Sequence, residues 1–182
     1  SPVPIVAPCS PGDCFDAALE AARIAVTYRT PVLLLSDGNL ANGAEPWRIP
    51  DIESLPDIHV EFATEFNHTD ADGNPEFWPY LRDPETLARP LALPGTPDLM
   101  HRIGGIEKQD GTGNISYQPD NHEHMVRLRQ RKIDGIADDI PGVELDHEDG
   151  ADVVVLGWGS TWAAITAGVR RVRARGEKVA QA

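Results

Sequence analysis

Tyr28-Arg29-Thr30-Pro31-Val32-Leu33-Leu34-Leu35-Ser36-Asp37-Gly38 is the stretch on which the fold turns. Val32 to Leu35 is apolar at every position. An exposed-edge strand would alternate, so this run predicts a parallel strand buried on both faces. Ser36-Asp37-Gly38 leaves its carboxyl end, where open α/β sheets place ligands. Upstream, Arg29-Thr30-Pro31 closes a helix, because the residue before a proline avoids the helical region. The helix should carry Phe15, Ala18, Leu19, Ala22, Ala25 and Val26 on its buried face. Ser10 is its expected N-cap, with Pro11 in the first position and Asp13 in the first turn. Before it, Pro4-Ile5-Val6-Ala7 is a short strand, completing strand–helix–strand from Pro4 to Ser36.

The same grammar returns at the other end. Asp152-Val153-Val154-Val155-Leu156 is a second fully apolar strand, and Gly157-Trp158-Gly159-Ser160-Thr161 opens a helix after it. Trp162, Ile165, Val169 and Val172 form that helix's expected buried stripe. Arg170, Arg171, Arg173 and Arg175 crowd its carboxyl end, where the dipole is negative. Gly176 stops it, and Lys178-Val179-Ala180 begins another strand. A lone crossover unit leaves strand edges uncovered. The expectation is therefore a piece of a larger polypeptide, aggregation-prone by itself.

Between these units the character changes. Nine of the 16 prolines lie in 46–97, among acids and aromatic residues. The expected organisation is 1–45 and 151–182 as α/β units joined by a connector over 46–150, anchored by Trp47, Phe62, Phe66, Phe77, Trp78 and Tyr80. Short strands are allowed near Val60-Glu61-Phe62. His101 to Tyr117 is glycine-rich loop. Asn121 can cap a helix near 122–136, with Met125, Leu128, Lys132 and Ile136 on one face. Asp138 to Gly150 is a second linker.

Composition narrows the function classes. There are 29 acidic against 16 basic residues, for a net charge of −13. That balance argues against nucleic acid as a general partner. Residues 45–88 hold 11 acids with only Arg48 and Arg82 opposed, and 134–152 hold eight with no Lys or Arg. Solvated connectors are the first reading and a docking surface for a basic partner the second. No run approaches the ~20 apolar residues of a membrane helix. The amino terminus lacks a signal-peptide pattern. Cys9 and Cys14 are the only cysteines, fewer than an iron–sulfur cluster needs, and read as structural thiols of a reducing cytoplasm.

The candidate sites are few. Asp37-Gly38 is either a plain turn or a ligand contact. Gly157 to Thr161 lies where backbone N–H groups could cradle an anion, yet it matches neither G-x-G-x-x-G nor a Walker pattern. Close backbone packing also explains its glycines. His101, His122 and His124 lack metal-site spacing; His122 and His124 would point to different faces of a helix. No metal site and no nucleophile–base pair is read. These patterns leave a non-catalytic acidic interaction module and a nucleotide-binding α/β fragment as alternatives.

Several stretches, in order, resemble one known family: Cys14-Phe15-Asp16-Ala17-Ala18; Tyr28 through Asp37; Glu45-Pro46-Trp47-Arg48-Ile49-Pro50; His101-Arg102-Ile103-Gly104-Gly105 through Gly113-Asn114; and His122-Glu123-His124-Met125-Val126-Arg127. Together they resemble the alpha subunit of 2-oxoacid:ferredoxin oxidoreductases, of the 2-oxoglutarate type. The resemblance makes 1–45 the end of a thiamine-diphosphate pyrimidine-binding domain. Val155-Leu156-Gly157-Trp158-Gly159-Ser160-Thr161 resembles the start of the transketolase C-terminal-like, Rossmann-like domain that follows.

The resemblance implies oxidative decarboxylation of a 2-oxoacid, with the acyl group passed to coenzyme A and electrons to ferredoxin. It implies thiamine diphosphate, magnesium and an iron–sulfur cluster in the parent complex, mostly held by a beta subunit, and none bound by this chain alone. The family's activating glutamate lies before the equivalent of Ser1, so no catalytic residue is assigned. Asp37 and Gly38, in a loop running to Gly43, would border the cofactor or the subunit interface. His101 to Asn114 would pack on the beta subunit.

Overall fold

The computed structural model describes residues 2–147 and 150–182. Ser1 and the Glu148 and Asp149 part of the expected second linker lie outside the described residues. The elements run β1 (Ile5–Val6), α1 (Cys14–Tyr28), β2 (Leu33–Leu34), α2 (Gly38–Asn42), a 3₁₀ turn (Ile52–Ser54), β3 (His68–Thr69), β4 (Pro75–Glu76), α3 (Pro119–Ile136), β5 (Val153–Val155), a 3₁₀ turn (Gly159–Thr161), α4 (Trp162–Arg173) and β6 (Val179–Gln181). No helix among the described residues is long and apolar enough to cross a membrane.

Both expected crossover units form. β1 pairs parallel with β2 (Ile5 with Leu33, Val6 with Leu34). β5 pairs parallel with β6, Val153 opposite Val179. Burial on both faces does not follow. Leu33 is 47% exposed and Val153 56%. Each sheet has two strands among the described residues, and Leu34, Leu35 and Val154 are exposed as well.

Contacts gather the chain into two compact units. One comprises 1–4, 23–31 and 57–139; the other comprises 5–22, 32–56 and 140–182. These cut across the 1–45, 46–150 and 151–182 organisation. Most of the proline-rich middle, 57–139, belongs to the first unit.

In that first unit β3 and β4 pair antiparallel, His68 opposite Glu76, and no strand forms at Val60-Glu61-Phe62. The glycine-rich segment folds back on itself at a Lys108–Ile115 bridge, closed by Gln109 N–H to Asn114 O at 2.6 Å. Helix α3 buries Met125, Leu128, Lys132 and Ile136, the expected stripe. It starts earlier than expected, with Pro119 at its amino end and Gln118 preceding it. Asn121 is no cap. Its side chain accepts from Asp110 N–H (3.0 Å) and donates to Lys108 O (2.9 Å), tying the hairpin to the helix. Proline pre-sets the helical φ and lacks an N–H, so that helix start needs no side-chain cap.

Two expectations for α1 change. Its first turn is not helical. Ser10 Oγ accepts from Asp13 N–H at 3.3 Å, Asp13 Oδ2 accepts from Cys9 N–H at 2.8 Å, and the helix begins at Cys14. The buried stripe is Ala17, Ala21, Ile24 and Tyr28 rather than the face through Phe15, Ala18 and Ala22. Both faces are apolar, and periodicity alone cannot choose between two such faces. The carboxyl end is as expected. Arg29 takes a left-handed conformation (φ 50°) and Thr30 N–H reaches Ala25 O at 3.3 Å.

The second unit turns acidic linker residues into structure. Arg173 Nη1 binds Asp146 Oδ2 at 2.9 Å, and Asp146 N–H reaches Gln181 O at 2.9 Å, adding a bridge beside β6. In α4 only Val169 of the expected stripe is fully buried; Trp162 stays exposed.

Candidate functional site

The carboxyl ends of the parallel strands meet in the second unit. Asp37 follows β2, and its carboxylate does three things. Oδ1 accepts from Asn39 N–H (2.8 Å) and Leu40 N–H (3.1 Å), capping α2. Oδ2 accepts a short hydrogen bond from Ser160 Oγ, in the turn after β5. The two glycine- or aspartate-bearing turns singled out in the sequence thus come together through one side-chain contact. Beside them, a Cβ on Gly159 would lie 3.8 Å from Ala7 Cβ and from Pro8 O, at the end of β1.

The Ser160 hydroxyl holds the Asp37 carboxyl below the usual carboxylate value of 3.8, and the Leu40 and Asn39 N–H groups add to the effect. The sign follows from the depressed folded value. The stabilisation is present above pH 3.8 and is lost as pH falls through the lowered folded value. Ser160→Ala should therefore move the Asp37 titration up toward 3.8, read by carboxyl ¹³C shifts. An unmoved midpoint would assign the whole effect to the α2 cap.

Gly38 opens α2, and its carbonyl accepts from Asn42 Nδ2 at 2.7 Å. A Cβ there would meet only Asn42 Nδ2 at 4.0 Å, so packing does not demand glycine. Gly157 differs: a Cβ would fall 2.1 Å from Ile165 Cδ1. The packing reading of that glycine holds. With the Asp37 carboxylate on Ser160, the turn also presents a negative group where a phosphate would have to sit.

Trp47 and Glu45 complete this neighbourhood. Glu45 Oε1 accepts from Ser10 Oγ (2.5 Å) and from Gly12 N–H, and Phe15 packs on Trp47 at 5.5 Å between centroids. Cys9 and Cys14 are free thiols. Burial and the Asp13 carboxylate push Cys9 up, the direction that suppresses thiolate chemistry.

The three histidines lie in the first unit. His101 Nδ1 contacts Leu99 O at 2.8 Å and its ring meets Phe77. His122 pairs with Glu107, and His124 Nε2 with Asp110 Oδ2 at 3.1 Å, stitching the 107–116 hairpin to α3. Among the described residues no group of three His, Cys, Asp or Glu side chains could hold a metal ion.

A different cluster escaped the sequence. Arg29, Arg82, Arg89, Lys108, Arg129 and Lys132 line one cleft of about 430 Å³, all within the first unit. They lie up to 103 positions apart, so no local spacing could have grouped them. The one legible hint was Lys132, a charge at a core position of the α3 stripe.

Residues 1–117 match the family described as Pyruvate flavodoxin/ferredoxin oxidoreductase, thiamine diP-bdg. The chain is 56% identical over 183 residues to the 2-oxoglutarate oxidoreductase subunit KorA of Mycobacterium tuberculosis (strain ATCC 25618 / H37Rv), covering all of this chain and 26% of that protein. It is 28% identical over 171 residues to the 2-oxoglutarate synthase subunit KorA of Methanothermobacter marburgensis, covering 94% of this chain and 43% of that protein. It therefore spans from about a quarter to under half of the curated relatives it matches. Among solved structures it resembles 2-oxoglutarate:ferredoxin oxidoreductase from Magnetococcus marinus with 2-oxoglutarate, coenzyme A and succinyl-CoA bound. The TM-score is 0.81 at 29% identity, over all of this chain and 30% of that one.

Proposed function

Because the chain belongs to the pyruvate flavodoxin/ferredoxin oxidoreductase thiamine-diphosphate-binding family, we propose that it is part of the alpha subunit of a 2-oxoglutarate:ferredoxin oxidoreductase. The observation that carries this reading is the similarity of the entire chain, in sequence and in fold, to subunits named for that substrate. In the proposed reaction 2-oxoglutarate loses carbon dioxide and its succinyl group passes to the coenzyme A sulfur. The two electrons released reduce two ferredoxins, and the thiol proton goes to solvent.

Thiamine diphosphate supplies the carbanion chemistry when bound. Asp37 and Gly38 are proposed to border that cofactor or the subunit interface. The Asp37 carboxylate is engaged by Asn39, Leu40 and Ser160, and no metal-holding cluster stands among the described residues. The beta subunit is proposed to hold the diphosphate, magnesium and iron–sulfur cluster. The contribution of this chain is positional. Asp37 fixes α2 on one side and the turn before α4 on the other, so both strand ends hold their loops in one register.

Purified anaerobically with its partner subunit, the complete protein should reduce ferredoxin only when 2-oxoglutarate and coenzyme A are both present. The kcat/KM for 2-oxoglutarate should exceed that for pyruvate by more than about tenfold, roughly 1.4 kcal/mol of transition-state discrimination. Equal turnover of pyruvate, or none of either, would sink the assignment.

A further inference from the structure

The six cations of the first-unit cleft share its lining with one carboxylate, Glu107, and a second, Asp110, lies within electrostatic reach of Arg82. In a chain of net charge −13 this is an unusual concentration of positive charge. Most of the cations are held by neutral backbone oxygens, which satisfy hydrogen bonds without cancelling charge. Arg29 Nη2 donates to Glu61 O (2.9 Å), Arg82 Nη1 to Leu87 O (3.0 Å), Lys132 Nζ to Tyr28 O (2.8 Å) and Lys108 Nζ to Gly104 O. Glu107 is divided between His122 and Arg129, whose Nη1 is 3.9 Å from it. Arg89 lies over the Tyr80 ring at 4.8 Å.

A further observation points to a ligand. Arg82 Nε and Arg129 Nε are buried, and among the described residues neither has a hydrogen-bond partner. Buried polar atoms are normally paired, so the two guanidinium groups, both of which line the cleft, are left short of acceptors. Planar guanidinium forks match the oxygens of phosphate. The lining also includes the apolar residues Ile133 and Pro31, and the volume falls in the small-molecule range.

We propose that this cleft binds a multiply charged, phosphate-bearing small molecule, with Arg82, Arg89 and Arg129 on its oxyanion end and Ile133 against its organic part. Lys132 supports the electrostatics: burial, with Arg82 and Arg89 nearby, lowers it to about 8. The other charged groups lining the cleft are Arg29, Lys108, Arg129 and Glu107. A bound polyanion favours the protonated amine.

The test is calorimetric titration of the complete enzyme, already saturated with thiamine diphosphate, using magnesium-free inorganic pyrophosphate as the probe. Saturable one-to-one binding is expected, weakened at least tenfold by Arg89→Gln and by Arg82→Gln. Arg127→Gln, at an exposed position paired with Glu123, should change nothing. Arg82 also anchors Leu87, so Arg89→Gln decides if the other variant fails to fold. Absent saturation, an equal loss in Arg127→Gln, or succinate binding as tightly as pyrophosphate would each overturn the proposal.

Discussion

Gly111→Ala should destabilise the first unit by about 2–5 kcal/mol. Gly111 has φ +70°, and a Cβ built on it would lie 2.6 Å from Trp78 Cε3 and 2.8 Å from Cζ3. The left-handed conformation costs an L-residue ~1–2 kcal/mol. Overpacking a filled site adds ~1–3 kcal/mol. The indole cannot easily retreat: it stacks on His68 at 3.4 Å between centroids, and its Nε1–H donates to Glu76 Oε2 at 2.7 Å. Gly73→Ala separates the two effects, because Gly73 has φ +88° and a Cβ added there would meet nothing within 4 Å. It should show the conformational part alone, ~1–2 kcal/mol. Denaturant unfolding of the complete subunit, followed by tryptophan fluorescence, reads both. Equal losses in the two variants would remove the Trp78 contact from the explanation.

Met125→Ala should be comparably severe, at about 2–5 kcal/mol, from lost transfer energy plus the cavity left behind. Met125 is 1% exposed, the most deeply buried member of the α3 stripe. Met125→Leu conserves volume and should cost less than about 1.5 kcal/mol. Its neighbour Val126 is 42% exposed, so Val126→Ala should change stability by no more than about 0.5 kcal/mol. The same denaturant titration separates them. Similar losses at 125 and 126 would mean that the helix, rather than its buried face, is what both substitutions disturb.

The α3 stripe was legible because its surroundings leave one choice. Met125, Leu128 and Ile136 stand on a helix whose other positions are mostly charged or polar, so a single face can be buried. Helix α1 offered two apolar faces, and the chain buries the one through Ala17, Ala21, Ile24 and Tyr28. Lys132 was placed on the right face, but its role was hidden. It reaches Tyr28 O, at the carboxyl end of a helix 104 residues away in sequence, where a carbonyl has no intrahelical donor.

At the candidate site the turns were legible and their meeting was not. Asp37 and Gly157 to Thr161 announce themselves as strand-to-helix turns by residue type. That Asp37 Oδ2 accepts from Ser160, 123 residues on, depends on how two crossover units pack. The contact also changes the chemistry, because a carboxylate engaged on three donors is a brace rather than a free ligand.

By itself, then, the sequence determined the α/β class, the parallel strands, the stripe of α3 and the family, because these rest on local periodicity and on ordered words along the chain. Only the tertiary structure decided which face of α1 is buried, that 57–139 packs with 23–31, and that six cations share one cleft. Burial and electrostatics act through space, between groups whose separation along the chain carries no trace of their distance in the fold.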